Sequence, residues 1–258
     1  MPFPLTHMCI ALRILKKLHP DTEIVPGYSF LKIPKISSAS SCTTGELMHN
    51  RAQFILGSVA PDAVHFRKEF KDGASQSEIG PTKKVTHLCP ISDEKWGFVT
   101  DNHGWIEKVC HFMAENTDNP LAIGYGVHVL TDISNNLGPW NEFRTNYPEE
   151  AAKGYASGIY TDLKNIDTRI YHELYKNSEI IELLQKSIPA ELPSLVSFEE
   201  VEAIKHNLLN QQYNNIPTEY STDSCTYLTY ERTLEFIEET ACFCLQKIDS
   251  INDNGMQL

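Results

Sequence analysis

The sequence lacks the features that mark membrane-spanning proteins and nucleic-acid-binding proteins. No stretch approaches the roughly 18–20 consecutive apolar residues of a transmembrane helix. The 22 basic residues are outnumbered by 34 acidic ones, the net charge is −12, and no basic run is longer than Lys16-Lys17 or Lys83-Lys84. We therefore expect no transmembrane segment and no extended nucleic-acid partner, because phosphate-backbone binding needs clustered positive charge.

Zinc-finger and secretory signatures are missing as well. The seven cysteines form no Cys-x-x-Cys pair, and their odd number is typical of reduced thiols. The N-terminal segment Met-Pro-Phe-Pro-Leu-Thr-His has neither the basic start nor the apolar run of a secretory signal, so we expect a cytoplasmic protein. No His-Asp dipeptide occurs, which argues against a phosphohydrolase built on that motif.

The hydrophobic pattern has the period of α-helices, with no sustained two-residue alternation, and it predicts an all-α fold. The best-delimited helix is Pro120–Leu137, where Asn119 is a suitable N-cap and Gly138 a stop signal. Because apolar residues cover nearly its whole circumference, we expect this helix to be central and buried.

Weaker patterns predict further helices along the chain. Thr6 and Asp62 are expected as N-caps of two of them, and the Gly/Ser/Lys-rich residues 71–84 are expected to form an exposed loop. We treat the chain as a single domain, 1–258, in which 1–140 carry the candidate site and 141–258 add helices. The other predicted helices are 6–18, 45–59, 62–70, 103–115, 148–177, 178–187, 197–212 and 226–252.

His128 and Asp132 are the most informative pair in the chain. Residues 120–140 contain no Lys, Arg or Glu, so a buried Asp132 carboxylate needs a positive partner from elsewhere. Residues four apart share one helical face, and zinc accepts imidazole nitrogen and carboxylate oxygen together. The alternative is a His–Asp hydrogen bond that only fixes helix packing.

Other isolated polar residues are candidate ligands with ordinary alternatives. His7 lies on the apolar face of the first predicted helix and is equally explained as a core histidine. Asp62 has its alternative as an N-cap, and His87 follows a polar stretch that would leave it at the surface. His65, three residues after Asp62, is a reserve ligand.

The order of these motifs is more specific than any one of them. Thr6-His7, Gly-Ser-Val-Ala-Pro-Asp62, Thr86-His87 and His128-x-x-x-Asp132 resemble the zinc-dependent phospholipase C family over about residues 1–140. The resemblance implies the all-α fold that this family shares with fungal single-strand nucleases. It also implies a set of five metal ligands, namely His7, Asp62, His87, His128 and Asp132. Within this set, the resemblance implies that Asp132 bridges two ions and that Asp62 serves as a ligand or as a general base.

The chain departs from that family after Asp132, because no histidine follows before His172, for which Asp162 or Asp167 are candidate partners. We therefore expect one or two Zn²⁺ ions, with Mn²⁺ or iron as alternatives. The leading hypothesis is a metal-dependent phosphoesterase acting on a small phosphate ester by metal-activated water. The alternative is a non-catalytic helical protein that binds metal or a partner through a degenerate site.

Overall fold

The computed structural model of the protein describes residues 3–18, 44–68, 83–90 and 98–255. This part of the chain is mostly helical, and its only β-structure is an isolated bridge between Leu192 and Val196. The expected all-α fold class is confirmed. The α-helices are α1 Pro4–Leu18, α2 Thr44–Gly57, α3 Asn102–Ala114, α4 Pro120–Leu137, α5 Pro139–Asn146, α6 Pro148–Ala151, α7 Ile159–Ile170, α8 Ile180–Lys186, α9 Phe198–Asn210 and α10 Tyr230–Gly255.

Helix α4 lies at the centre of the packing, as its apolar circumference predicts. Its main neighbours are α2 and α3, and α10 also contacts it. The predicted boundaries are confirmed: the Asn119 side chain accepts hydrogen bonds from the backbone N–H groups of Leu121 and Ala122, and Gly138 ends the helix. Side chains on all sides of α4 are buried, so a polar residue on it is held inside the protein.

Helices α2 and α4 approach each other at two glycines. A Cβ atom at Gly57 would overlap the carbonyl oxygen of Leu121, and one at Gly124 would overlap that of Phe54. Backbone therefore packs directly on backbone, which only residues without a side chain allow. This approach brings the chain that follows Gly57 next to the helical turn that follows Gly124.

Two predicted N-caps are wrong. Helix α1 starts at Pro4 rather than at Thr6, because proline is well suited to the first helical position, and Thr6 lies buried inside the helix. Asp62 does not cap a helix either; it lies within a 3₁₀ helix, Ala60–Phe66, whose N-cap Val59 makes no side-chain cap bond. The predicted end at Phe70 lies outside the described residues.

The helices in the second half of the chain are shorter and more often interrupted than its periodicity predicts. The expected helix 148–177 is interrupted near Gly154, whose φ of +58° belongs to the left-handed region, and it continues as α7 and a π-helix, Tyr171–Tyr175. Helix α5 was not expected, because Gly138-Pro139 signals a stop although proline also starts a helix. Helix α10 starts late because Asp162 accepts hydrogen bonds from the backbone N–H groups of 226–228.

The second half of the chain braces the elements of the first. The Arg67 side chain, next to the 3₁₀ helix, donates two hydrogen bonds to the Glu200 carboxylate and one to the carbonyl oxygen of Leu195. Arg51 of α2 pairs with Glu179 at 2.6 Å. In the part of the chain that the structure describes, no helix has the length and apolar character to cross a membrane.

The glycine contact between α2 and α4 predicts a large packing cost for a single methyl group. Gly124→Ala should lower the free energy of unfolding by about 1–3 kcal/mol, because the added Cβ meets rigid backbone rather than a side chain that can move. Gly45→Ala is the matched control, since a Cβ there has no atom within 4 Å. Urea unfolding compares them; equal stabilities for the two variants would contradict the packing argument.

Candidate metal centre

The structure brings the five predicted ligand residues together, although they come from separate elements. His7 lies on α1, Asp62 on the 3₁₀ helix 60–66, and His87 just after a helical turn at 83–86. His128 and Asp132 lie one turn apart on α4. All except Asp62 are almost completely buried, so the surface position considered for His87 is wrong.

The functional atoms of these residues face one another at closely similar distances. Nε2 of His87 lies 3.4 Å from Oδ1 of Asp62 and 3.6 Å from Oδ2 of Asp132. Nε2 of His128 lies 3.8 Å from the same Asp132 oxygen and 3.9 Å from Oδ2 of Asp62. Nε2 of His7 lies 3.7 Å from Oδ1 of Asp132. These separations are too long for good hydrogen bonds, which favour about 2.7–3.2 Å.

Backbone carbonyls determine which nitrogen of two imidazoles carries the proton. Nδ1 of His128 lies 2.8 Å from the carbonyl oxygen of Ser58, and Nδ1 of His87 lies 3.0 Å from that of Lys83. A carbonyl oxygen can only accept, so both Nδ1 atoms donate. In the neutral rings, the lone pair of each Nε2 therefore points towards the carboxylates. Metal-bound histidines are commonly oriented by this kind of hydrogen bond.

At the centre of the cluster, acceptor atoms of His128 and Asp132 face each other. Among the described residues, Nε2 of His128 and both carboxylate oxygens of Asp132 have no hydrogen-bond partner. Lone pairs in this arrangement repel one another, and buried polar atoms without partners are costly. A positive ion between them removes both problems. Ligands about 2.1 Å from a tetrahedral ion lie about 3.4 Å apart, close to the spacing seen here.

Two overlapping groups of side chains could hold a metal ion. The ligand atoms of His7, His128 and Asp132 lie within 4.8 Å of one another, and so do those of Asp62, His87 and His128. The donor set of imidazole nitrogens and carboxylate oxygens suits zinc and also other transition metals.

Burial keeps the imidazoles ready to bind a cation. Burial, together with the neighbouring His128, lowers the pKa of His7 well below its usual value. Burial and the Lys83 ammonium lower the pKa of His87 to about 3. Both rings are therefore neutral at physiological pH, and no proton has to leave before a metal binds. Burial also raises the pKa of Asp132, the deepest carboxyl of the cluster.

Asp62 differs from Asp132 in exposure and in partner. Its side chain is 14% exposed, against 1% for Asp132, so it lies nearer to solvent. Burial tends to raise the pKa of Asp62, but Lys83 Nζ at 2.9 Å and contacts with His65 and His87 outweigh it, and this pKa lies well below its ordinary value. His65, the reserve ligand, lies beside Asp62 at 3.6 Å, with its side chain 42% exposed.

Sequence reasoning missed Lys83. We expected this residue in an exposed loop, but it is buried on the helical turn before His87, and that part of the loop prediction is wrong. Residues 71–82 of the predicted loop lie outside the described residues. The sequence gives no sign that Lys83 is buried, because its ion-pair partner, Asp62, lies 21 residues earlier in the chain.

The turn that carries His87 is held by two aromatic residues. Nε1 of Trp105 donates a hydrogen bond to the carbonyl oxygen of His87 at 2.8 Å, and the Tyr125 hydroxyl donates one to that of Thr86. The rings of His7 and His128 stack with centroids 3.8 Å apart. These contacts leave the ligand side chains little rotational freedom before any metal arrives.

The remaining candidate histidines lie elsewhere. The exposed His103 and His111 pair with glutamates one turn later on α3. His172 contacts the carbonyl oxygen of Pro217 at 2.7 Å rather than Asp162, whose carboxylate accepts hydrogen bonds from the backbone N–H groups of 226–228. Its other candidate partner, Asp167, has a buried Oδ1 atom with no hydrogen-bond partner in the described structure.

No protein-family model matches the chain, and comparisons with curated proteins and with solved structures also find no significant match. The resemblance to the zinc-dependent phospholipase C family therefore stays a prediction. The case for a metal centre rests on the geometry of its five residues.

Replacing the buried Asp132 carboxylate should change the stability of the protein in opposite directions with and without metal. Zn²⁺ at about 100 times its Kd should stabilise the chelator-treated wild type by about 2.7 kcal/mol. Asp132→Asn should abolish this gain, because a ligand is lost. Without metal, the same variant should be more stable than the wild type, because its neutral amide can donate to Nε2 of His128. Thermal unfolding measures both effects.

His111→Ala, which removes an exposed histidine, is the control for that experiment and should respond to Zn²⁺ as the wild type does. A metal-free Asp132→Asn variant that is less stable than the metal-free wild type would contradict the unpaired-acceptor argument.

The buried Asp167 carboxyl should make the stability of the protein depend on pH, independently of the metal centre. Burial raises its pKa to about 8 in the folded state, whereas an unfolded aspartate titrates near pH 4. Between these values only the unfolded chain loses the proton, so stability falls as pH rises, by at most about 1.4 kcal/mol per pH unit. Asp167→Asn removes this loss, and its advantage over the wild type should grow from pH 4 to 8 and then stay constant. Urea unfolding at several pH values tests this, with the exposed Asp118→Asn as control; an advantage independent of pH would argue against it.

Proposed function

We propose that the protein is a metal-dependent phosphoesterase that hydrolyses a small phosphodiester or phosphomonoester. The observation that carries the proposal is the convergence of two carboxylates and three histidines around a space lined by lone pairs. His7, His128 and Asp132 form its base, and Asp62 and His87 complete the set. A divalent ion held there would supply Lewis-acid chemistry, lowering the pKa of water and neutralising charge on a phosphoryl group.

Asp62 is the residue we place in contact with the reacting atoms. Its carboxylate is the more exposed of the two, and its low pKa keeps it ionised. An ionised carboxylate at this place can orient an attacking water molecule and accept a proton from it. Asp132, buried beneath it, cannot reach a substrate and is assigned to ligation alone.

The proposed ion is zinc, and the proposed substrate is small. The near-tetrahedral spacing of nitrogen and oxygen donors favours zinc, with Mn²⁺ or iron as alternatives. The absence of basic clusters in the sequence disfavours a long polyanion, whereas a single phosphate ester needs only the local charge of the ion.

Replacing the Asp62 carboxylate should remove hydrolysis. Asp62→Asn should lower kcat/KM by about 10²-fold or more, because an amide accepts no proton from water. The assay uses chromogenic phosphodiesters and phosphomonoesters with Zn²⁺-loaded protein. Asp118→Asn, an exposed aspartate, is the matched control and should keep full activity.

Metal content is measured for each preparation, so that lost ligation is separated from lost proton transfer. If the wild type binds metal but hydrolyses no phosphate ester in the panel, the phosphoesterase proposal fails. The non-catalytic metal-binding protein, the second candidate, then accounts for the site.

A further inference from the structure

Three features of the centre bear on how many metal ions it takes. The first is that its two candidate ligand groups share one atom. Both groups include His128, and Nδ1 of His128 is occupied by the carbonyl oxygen of Ser58. Only Nε2 is left, and its single lone pair binds one ion. The two three-residue groups therefore cannot both be filled at the same time.

The second feature is a positive charge already present beside the group formed by Asp62, His87 and His128, which we call the outer group. The Lys83 ammonium lies 2.9 Å from Oδ1 of Asp62, the oxygen that also lies nearest to Nε2 of His87. Lys83 is buried, and its carbonyl oxygen accepts the Nδ1–H bond of His87. The same residue thus places a cation beside Asp62 and orients a neighbouring ligand. A second divalent ion bound to Asp62 would lie close to this ammonium and be repelled by it.

The third feature is the charge of the centre. The Asp62 carboxylate pairs with the Lys83 ammonium, and Asp132 must be ionised to bind a metal ion, so the centre holds two negative charges and one positive charge. One divalent ion brings the sum to +1, which matches the single negative charge of a phosphodiester. Two divalent ions would bring the sum to +3 in a mostly buried site, and uncompensated buried charge is costly.

We infer that the centre takes one divalent ion and that Lys83 supplies the positive charge of a second. The ion is held by His128 with Asp132 and His7 at the base, and the Lys83 ammonium, paired with Asp62, occupies the outer position. A phosphodiester would then lie between the ion and this ammonium. The substrate part of the inference rests on the proposed function, whereas the metal count does not.

The test counts ions by a readout other than activity. Metal-free protein is titrated with Co²⁺, whose visible absorption reports ions held by nitrogen and oxygen ligands, and tightly bound Zn²⁺ is counted after gel filtration. The wild type should saturate at one ion per chain. A wild type that binds two ions in this centre overturns the inference without the need for any variant, and one that binds none overturns it together with the metal centre.

Variants of Lys83 then test the role of its charge. Lys83→Met should admit a second ion, with an affinity at least about tenfold higher than any second binding to the wild type, because the repulsion is gone. Lys83→Arg keeps the charge and should stay at one ion. Lys84→Met, at the neighbouring position, is the matched control and should also bind one. Circular dichroism establishes that each variant is folded.

If Lys83→Met stays at one ion, or Lys83→Arg admits two, the charge of Lys83 does not set the metal count and the inference fails. Failure of the phosphoesterase proposal gives a different result, namely one ion per chain with no turnover. The diester preference is read separately, as a ratio of kcat/KM for phosphodiesters over phosphomonoesters that exceeds one in the wild type and falls in Lys83→Met.

Discussion

The contact of α2 with α4 through Gly57 and Gly124 is the constraint on which the centre depends. Because backbone meets backbone there, the carbonyl oxygen of Ser58, the next residue after Gly57, comes within hydrogen-bond distance of Nδ1 of His128. That bond fixes the protonation and the direction of the His128 ring. It also sets where the chain leaves α2, and therefore where the 3₁₀ helix presents Asp62. A packing detail between two helices thus determines the position of His128, four residues after Gly124, and of Asp62, five residues after Gly57.

The charges of the centre are arranged by depth. Asp132 is the more deeply buried carboxyl and lies among imidazoles, and burial raises its pKa. Asp62 lies nearer solvent, where Lys83 and two histidines hold its pKa low. The two carboxylates are thereby given different environments, and the separate roles that we propose for them rest on this difference. The protein supplies one fixed cation of its own, the Lys83 ammonium beside Asp62.

How much could be predicted from the sequence depended on whether the relevant interactions were local. Helix α4 was predicted to the residue because Asn119, Pro120 and Gly138 delimit it, and its geometry places His128 and Asp132 on one face. The convergence of His7, Asp62 and His87 was anticipated only through the order of motifs, since nothing local dictates it. The N-cap role predicted for Asp62 was wrong because the helix there is a 3₁₀ helix that begins at Ala60. The exposed position predicted for Lys83 was wrong because Lys83 pairs with Asp62 across 21 positions. The interruption of helix 148–177 depended on a left-handed glycine that periodicity does not detect.

The Arg67–Glu200 bridge has a consequence for where the working unit of this protein ends. All five candidate ligand residues precede position 140, and the resemblance that predicted them extends only to about that position. The Arg67 guanidinium, next to the 3₁₀ helix, nevertheless donates hydrogen bonds to both carboxylate oxygens of Glu200 on α9 and to the carbonyl oxygen of Leu195. A fragment of residues 1–140 would contain every candidate ligand but would lose these hydrogen bonds. The position of Asp62 relative to Asp132 would then be less firmly fixed. Helix α9, which carries no candidate ligand of its own, thereby helps to fix the position of Asp62 relative to Asp132.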